Sequence, residues 1–448
     1  MPGQVLTRRS LLKHGAVATG ALAFPFVHGA HAAGRLSAFF WDHPTPSVPP
    51  AMRKLCEAWA AREKVDLQID FVSTNGDKIL LTLAAEGQAR SGHDVVTIPS
   101  WYVSGQVERL EPLDDLVARL AQQNGKIDWT AEYLGKFDGH WAAVPVSTGS
   151  PTLAVCARID LLRDQAGIDI TKMYPAGAPP DKGLTDNWTW DTFSTAAQKC
   201  FAAGNPFGLP LGITPDSVDW VGAVFSSYGA HLVDKDGNTT VNSEPVKIVL
   251  EWFKRLVPSL PQEVFAWDNA SNNKYLISGK GSLILNPPSA WAVAVRDAPK
   301  IAEQLWTFPP PKGPKGRIEA GIPWFWGIWN FAQNKPAAKS LLEFLSERSS
   351  VETLINASRG YDVPVYEKFR DFPIWEQEGP PKGTLFNYPP RGDVTLSIAG
   401  APAPPGIANQ MYAQGTMTKL IARCTQRGET IDQAIAWAEQ EIDGFRRT

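Results

Sequence analysis

The stretch His140–Val155, HWAAVPVSTGSPTLAV, divides the chain. It is apolar enough to be buried, yet Pro145, Gly149 and Pro151 interrupt it, so no long regular element runs through. The residues before it read as one small α/β unit. From Asp160-Leu161-Leu162 onward a second set of helices and strands begins. A short extended segment between two lobes is a hinge candidate, with a ligand cleft beside it. An ordinary buried strand with a turn accounts for the same residues equally well.

At 448 residues the chain predicts two or more domains. Its 44% apolar and 20% charged content is that of an ordinary folded protein. Tryptophan is over-represented, with 17 beside 9 tyrosines, and such amphipathic rings are usually buried or committed to binding. At the N-terminus Thr7-Arg8-Arg9-Ser10-Leu11-Leu12-Lys13 precedes an apolar run, Ala16 to Val27, and then Ala30-His31-Ala32. This order of charged, apolar and small residues predicts a removed signal peptide over 1–32, with the paired arginines of the twin-arginine type. Of 43 basic residues three lie in that segment, leaving 40 against 46 acidic ones, a net charge of −6. That balance offers nothing to nucleic acid or to an acidic membrane surface. Cys56, Cys156, Cys200 and Cys424 form no Cys-x-x-Cys pair and read as buried thiols.

After the signal, Leu36–Trp41 is a strand candidate. Pro49–Lys64 places Met52, Leu55, Cys56 and Trp59 on one helical face, and Val65, Leu67, Ile69 and Phe71 alternate as a strand. A helix over Asp77–Arg90 and a buried strand over Asp94–Ile98 complete β-α-β-α-β. Such units build an open, mostly parallel sheet that binds ligands at the carboxyl ends of its strands. That rule selects Trp41, Asp42 and His43 after the first strand, Thr74, Asn75, Gly76 and Asp77 after the second, and Ser100, Trp101 and Tyr102 after the third. Asp77 serves equally well as a helix cap; a cap does not call for tryptophan, which favours Trp41 and Trp101.

In the second half, Thr189-Trp190-Asp191 opens a helix and Asp216–Tyr228 forms another, carrying Trp220. Asp236-Gly237 is a hairpin turn. Gly281–Leu285 is a buried strand ending at Asn286-Pro287-Pro288-Ser289-Ala290-Trp291. Ile322–Phe331 alternates as a strand with Trp324 and Trp326 on one face. Asn334 caps a helix, Gly379–Gly415 reads as a long Pro-rich loop, and Thr430–Gln433 is a capping box. His43, His93, His140 and His231 show no metal-ligand spacing, and there is no nucleophile elbow or phosphate loop. No catalytic residue, metal or cofactor is expected.

Gly92-His93-Asp94-Val95-Val96, Gly139–Gly149, Trp190-Asp191-Thr192-Phe193, Phe308–Arg317 (FPPPKGPKGR), Asn334–Leu345 and Arg359-Gly360-Tyr361-Asp362-Val363-Pro364 occur in that order. In this the chain resembles the family 1 extracellular solute-binding proteins of ABC importers, the maltose- and sugar-binding proteins. The resemblance implies an α/β, two-lobed type II fold, with two open, mostly parallel sheets joined by crossing hinge segments. It implies an N-terminal lobe of 33–143 plus 311–352 and a C-terminal lobe of 144–310 plus 353–448. A sugar, oligosaccharide or polyol would bind between them and pass to a membrane permease, the receptor being a periplasmic monomer. Carried over by position, ligand contacts fall on Trp41, Asp42, His43, Trp101, Tyr102, Trp291, Trp326 and Tyr361. Asn75, Asp77, Trp220 and Asp362 complete the candidate set. A secreted glycoside hydrolase using Asp42 and Asp362, or a carbohydrate sensor without transport, fits the same Trp-rich pattern.

The signal reading makes one prediction. Replacing Arg8 and Arg9 together by Lys should leave the precursor in the cytoplasm on cell fractionation, whereas a signal of the general secretory kind would still export it.

Overall fold

The computed structural model describes residues 34–146, 152–175, 178–377 and 393–447. The expected signal segment, residues 147–151 of the expected hinge and the first part of the Pro-rich stretch lie outside the described residues.

Strand β1 (Gly34–Trp41) is followed by helix α1 (Val48–Glu63), strand β2 (Val65–Val72), helix α2 (Lys78–Ala89) and strand β3 (Val95–Pro99). The expected stripe of α1 is the buried one, with Met52, Cys56 and Trp59 turned inward. The helix stops at Lys64, in the left-handed region (φ 59°), whose N–H returns to the Ala60 carbonyl. β1 pairs in parallel with β2, Trp41 opposite Val72, and with β3, Ala38 opposite Val95. Two strands from elsewhere in the chain then extend the sheet. Trp324–Ile328 lies antiparallel to β3, and Val144–Pro145 lies antiparallel to Trp324–Ile328.

These directions bring five strand ends to one edge. The carboxyl ends of β1, β2, β3 and Val144–Pro145 lie beside the first residue of Trp324–Ile328. The chain leaves this sheet after Val146, whose N–H donates to the Trp324 carbonyl (2.8 Å). Beyond the edge Thr152–Leu153 pairs antiparallel with Ala320–Gly321, so the outgoing and returning segments are hydrogen-bonded neighbours.

In the second half the expectation of another mostly parallel sheet needs correction. Val155–Arg158 pairs antiparallel with both Leu283–Leu285 and Leu305–Phe308. Gly316–Gly321 is antiparallel to Lys312–Gly313; it pairs in parallel with Val394–Ser397, and Thr189 forms a single parallel bridge to Lys312. Leu305–Phe308 and Gly316–Gly321 are short returns of the chain, and they run against the earlier strands they meet, Val155–Arg158 and Thr152–Leu153. The Pro-rich stretch is likewise more than a loop, since it holds the strand Val394–Ser397 and the helix Pro405–Gln414.

Aromatic rings fill the second core: Trp190 packs edge-on against Trp252 (5.5 Å) and Phe193 (5.3 Å). The helix Pro215–Tyr228 is buried along most of its length, and at Gly222 a Cβ would come within 2.5 Å of Ala399 Cβ, so only glycine permits that approach. All four cysteines are buried free thiols, and burial pushes Cys56 and Cys156 up to about 12. Thr189, Asn334 and the Thr430–Gln433 box cap their helices as expected.

Glu319, beside the crossing pair on Gly316–Gly321, is fully buried. Burial pushes its carboxyl up to about 8, and the neighbouring Thr152 offsets only part of this. The folded chain therefore keeps a proton that the unfolded chain releases above the ordinary glutamate value of 4.5. The stability tied to that proton is full below 4.5 and is lost as pH rises through about 8. Glu319→Gln should remove this slope, gaining roughly 2–4 kcal/mol on the wild type between acidic and alkaline pH. Urea denaturation across that pH range checks it; parallel stability curves for the two proteins would contradict the assignment.

Candidate functional site

The strand ends gathered at the edge carry aromatic rings. Trp41, the last residue of β1, stacks on Trp324 with centroids 4.3 Å apart and planes 19° from parallel. On its other side it meets His43 (4.6 Å) and, farther off, Tyr361 (6.4 Å). Trp326 lies two residues along the same strand face and packs edge-on against Phe40 (6.1 Å). Trp41, His43, Thr97, Trp324, Trp326 and Asp362 line a cavity of about 390 Å³ of empty space, its open mouth included.

His43 and Asp362 come from opposite ends of the chain and meet in the wall of this cavity, His43 Nε2 lying 3.2 Å from Asp362 Oδ1. The Thr45 backbone N–H donates to His43 Nδ1 (2.9 Å), so the ring proton belongs on Nε2 and is donated to the carboxylate. Asp362 is fully buried and, among the described residues, its Oδ2 has no hydrogen-bond partner; the Trp41 indole N–H, also shielded, has none among them either. One acceptor and one donor are thus left unpaired among residues lining one cavity, where an unmade hydrogen bond costs about 1–3 kcal/mol. A hydroxyl group, which donates and accepts, suits both.

A second polar group gathers at the amino end of a helix in the second half. Thr214 caps the helix Pro215–Tyr228, and Asp216 in its first turn and Asp219 one turn on share one face at i, i+3. Asn272 Nδ2 donates to Asp216 Oδ2 (3.1 Å), and the Tyr412 hydroxyl donates to Asp219 Oδ2 (3.1 Å). Burial pushes Asp216 up to about 6. Asp219 is driven well above the ordinary carboxylate range, first by burial and then by the charge of Asp216. The amino end of a helix favours negative charge, but here desolvation and like charge dominate. Trp101 is buried against Tyr412 (5.4 Å) and Tyr133 (5.9 Å). Burial, then the charges of Asp77 and Asp219, raise the neighbouring Tyr102 phenol.

The expected residues are therefore sorted by the fold. Trp41, His43, Trp326, Tyr361 and Asp362 converge, and Trp101 and Tyr102 join the Asp219–Tyr412 group. Asp42 is exposed, its backbone N–H extending the sheet toward the Val72 carbonyl. Asp77 is exposed in the left-handed region (φ 56°) and makes no side-chain cap bond. The side chain of Asn75 lies outside the described residues. Trp220 is a correction: it faces the core, packs on Phe253 (5.5 Å) and donates its N–H to the Pro210 carbonyl (2.7 Å). Trp291 belongs to a smaller core cluster with Cys156, Leu276 and Ile284, and the Arg359 guanidinium, 5.0 Å from the ring centre, covers its face.

Trp324, Asp216, Asp219 and Tyr412 were not among the expected site residues. Alternation along Ile322–Phe331 already placed Trp324 on the face of Trp326, a usable signal. Asp216 and Asp219 look like any acidic first turn, and Tyr412 falls in the stretch read as a loop.

Comparison with known proteins agrees with this architecture. The family model described as bacterial extracellular solute-binding protein matches residues 45–351, more than half of the chain. No curated protein matches. Maltose-bound MalE3 of T. maritima superposes with a TM-score of 0.70 at 18% identity, covering 92% of this chain and 99% of its own. The GacH receptor of Streptomyces glaucescens, solved unliganded and with acarbose, gives 0.67 at 18% identity over 93% and 98%. A sugar transporter of Arthrobacter chlorophenolicus with bound laminaribiose gives 0.69 at 12% identity over 92% and 98%. At such identities the likeness establishes the two-lobed fold.

The His43–Asp362 contact predicts an asymmetric pair of variants. His43→Ala leaves a buried carboxylate without its donor and should cost roughly 2–4 kcal/mol of stability. Asp362→Asn keeps an oxygen that accepts the Nε2 proton and should cost less than half as much. Urea denaturation of the ligand-free variants gives both values; equal costs would mean that the hydrogen bond does not organise the wall.

Proposed function

Because the chain belongs to the bacterial extracellular solute-binding proteins, we propose that it captures a carbohydrate between its lobes and delivers it to an ABC permease. The observation that carries this reading is the Trp41–Trp324 stack beside the unpaired Trp41 N–H and Asp362 Oδ2. A pyranose has an apolar C–H face and a rim of hydroxyls. The face suits an indole, and a rim hydroxyl accepts from Trp41 Nε1 or donates to Asp362. The sugar would enter by replacing the direct ring–ring contact with ring–sugar contacts, so the two indoles must part.

On this reading the lobes are 33–143 with 311–352, and 144–310 with 353–448, turning about the crossings near Pro145–Pro151 and Phe308–Pro311. Trp41, His43, Trp326, Tyr361 and Asp362 hold the sugar, Trp101 and Tyr102 close the far side, and Trp291 joins once Arg359 releases its face. Asp42 and Asp77, exposed at the edge, meet the ligand's outer hydroxyls. The protein acts in the periplasm as a monomer freed of residues 1–32, and it releases its sugar unchanged. Among the described residues no helix is long and apolar enough to cross a membrane, which fits a receptor that meets its permease from outside the bilayer.

A thermal-shift screen over neutral sugars, polyols and oligosaccharides identifies the ligand, because binding to the native state alone raises the melting temperature. Trp324→Ala should then weaken it by about 1–3 kcal/mol, roughly ten- to hundred-fold in affinity. Calorimetric titration checks this, with chromatography of the recovered sugar. Wild-type affinity in the variant would remove the Trp41–Trp324 edge as the site, and a cleaved sugar would make the protein a hydrolase.

A further inference from the structure

The lining of the cavity at the strand ends is divided by chemistry. Its polar groups sit together: the Trp41 ring is 4.6 Å from His43, and His43 Nε2 is 3.2 Å from Asp362 Oδ1. Much of that polarity is already spent. Both ring nitrogens of His43 are engaged, and the Thr97 hydroxyl donates to the Phe39 carbonyl (3.3 Å). Asp362 Oδ2 and the Trp41 N–H remain for a ligand. A second wall is apolar. Phe71, Phe40, Thr97 and Trp326 form a row across four neighbouring strands, on one face, by the register of the pairs. In that row the rings of Phe40 and Phe71 are 6.5 Å apart, and those of Phe40 and Trp326 are 6.1 Å apart. Val48 and Met52, buried at i, i+4 on α1, complete the wall.

We infer that the carbohydrate taken by this cavity is a 6-deoxy sugar, with its methyl group against Phe40, Phe71, Val48 and Met52 and its ring hydroxyls turned to Asp362 and the Trp41 N–H. This rests on the carbohydrate reading above and narrows it. The cavity is about 390 Å³ with its mouth included. That is near the small end of ligand pockets, which run from about 300 to 1,000 Å³, and it suits one sugar ring better than a chain. On the reading above, the apolar face of that ring is committed to the indoles. A second apolar surface therefore calls for a second apolar group on the ligand. A hydroxymethyl group turned to this wall would give up water and meet ring faces, hydrocarbon and a thioether. Thr97, the hydroxyl in the row, already gives its proton to the backbone. A methyl group in the same place leaves nothing unmet and gains apolar contact. The other hydroxyls keep the two buried polar atoms and the water at the mouth.

The test titrates the full chain calorimetrically with 6-deoxy sugars and their hydroxylated parents of the same hand. The pairs are L-fucose with L-galactose, L-rhamnose with L-mannose, and D-quinovose with D-glucose. At least one 6-deoxy sugar should bind about tenfold or more tightly than its parent, the ratio expected for one buried, unmet hydroxyl. Val48→Thr keeps the side-chain shape and adds a hydroxyl to the wall, and Met52→Gln adds an amide at similar length. Each should lower that ratio by about threefold or more, because the parent's extra hydroxyl gains a partner. Thermal melts followed by circular dichroism show whether the variants are folded, and the wild-type ratio decides the matter even where one is not. Parents bound as tightly as their 6-deoxy forms would overturn the inference and leave the carbohydrate reading standing, as would binding confined to longer oligosaccharides. Binding of no carbohydrate at all would overturn both. A ratio unchanged in two folded variants would put the methyl group elsewhere and overturn this assignment.

Discussion

The arrangement depends on one strand pairing. Trp324–Ile328 arrives from more than two hundred residues downstream and inserts antiparallel between β3 and Val144–Pro145. Without it the first sheet would end at β3, and the segment leaving at Val146 would have no neighbour. With it, Trp324 lies beside Trp41 and the outgoing and returning segments lie side by side. Such long-range pairing carries a high loop-closure cost. Burial of all five residues of Trp324–Ile328, four of them aromatic or isoleucine, offsets it.

Against that apolar frame the chain keeps several acids out of water. Glu319 at the crossing and Asp219 on the helix Pro215–Tyr228 are both buried and held toward their protonated forms. Among the described residues neither has an ion-pair partner of the kind that Arg317 gives Asp393, 3.0 Å away. Isolated buried acids lower stability and are tolerated where the folded state gains something else from them. The one at the crossing makes the segment between the lobes sensitive to pH.

Much of this was legible in the residues. The period-3.6 stripe Met52–Cys56–Trp59 and the alternation of Val65–Phe71 were sufficient for the β-α-β-α-β unit, and the rule of carboxyl strand ends then found Trp41, His43 and Trp101. The direction of the later strands was not legible, because Val155–Arg158 and Leu283–Leu285 are continuous apolar runs that read alike in either direction. Trp220 misled because buried aromatic residues and ligand-stacking ones share a composition; only the partner of its N–H, the Pro210 carbonyl, separates them. The Asp216–Asp219 pair was invisible for another reason. Acidic residues belong at helix starts, and what sets these apart is the approach of Tyr412 from the far end of the chain.

The Trp41–Trp324 stack has an optical consequence. Two indoles 4.3 Å apart couple their electronic transitions, so the pair absorbs and emits as a unit. Most of the other tryptophans, Trp59, Trp188, Trp190, Trp252 and Trp375 among them, are locked in the cores, where their surroundings stay constant. Any solute that slides between the two rings uncouples them, and the near-ultraviolet circular dichroism of the whole protein registers the change against that steady background. On the proposed reading, the stack is a label-free gauge of cleft occupancy.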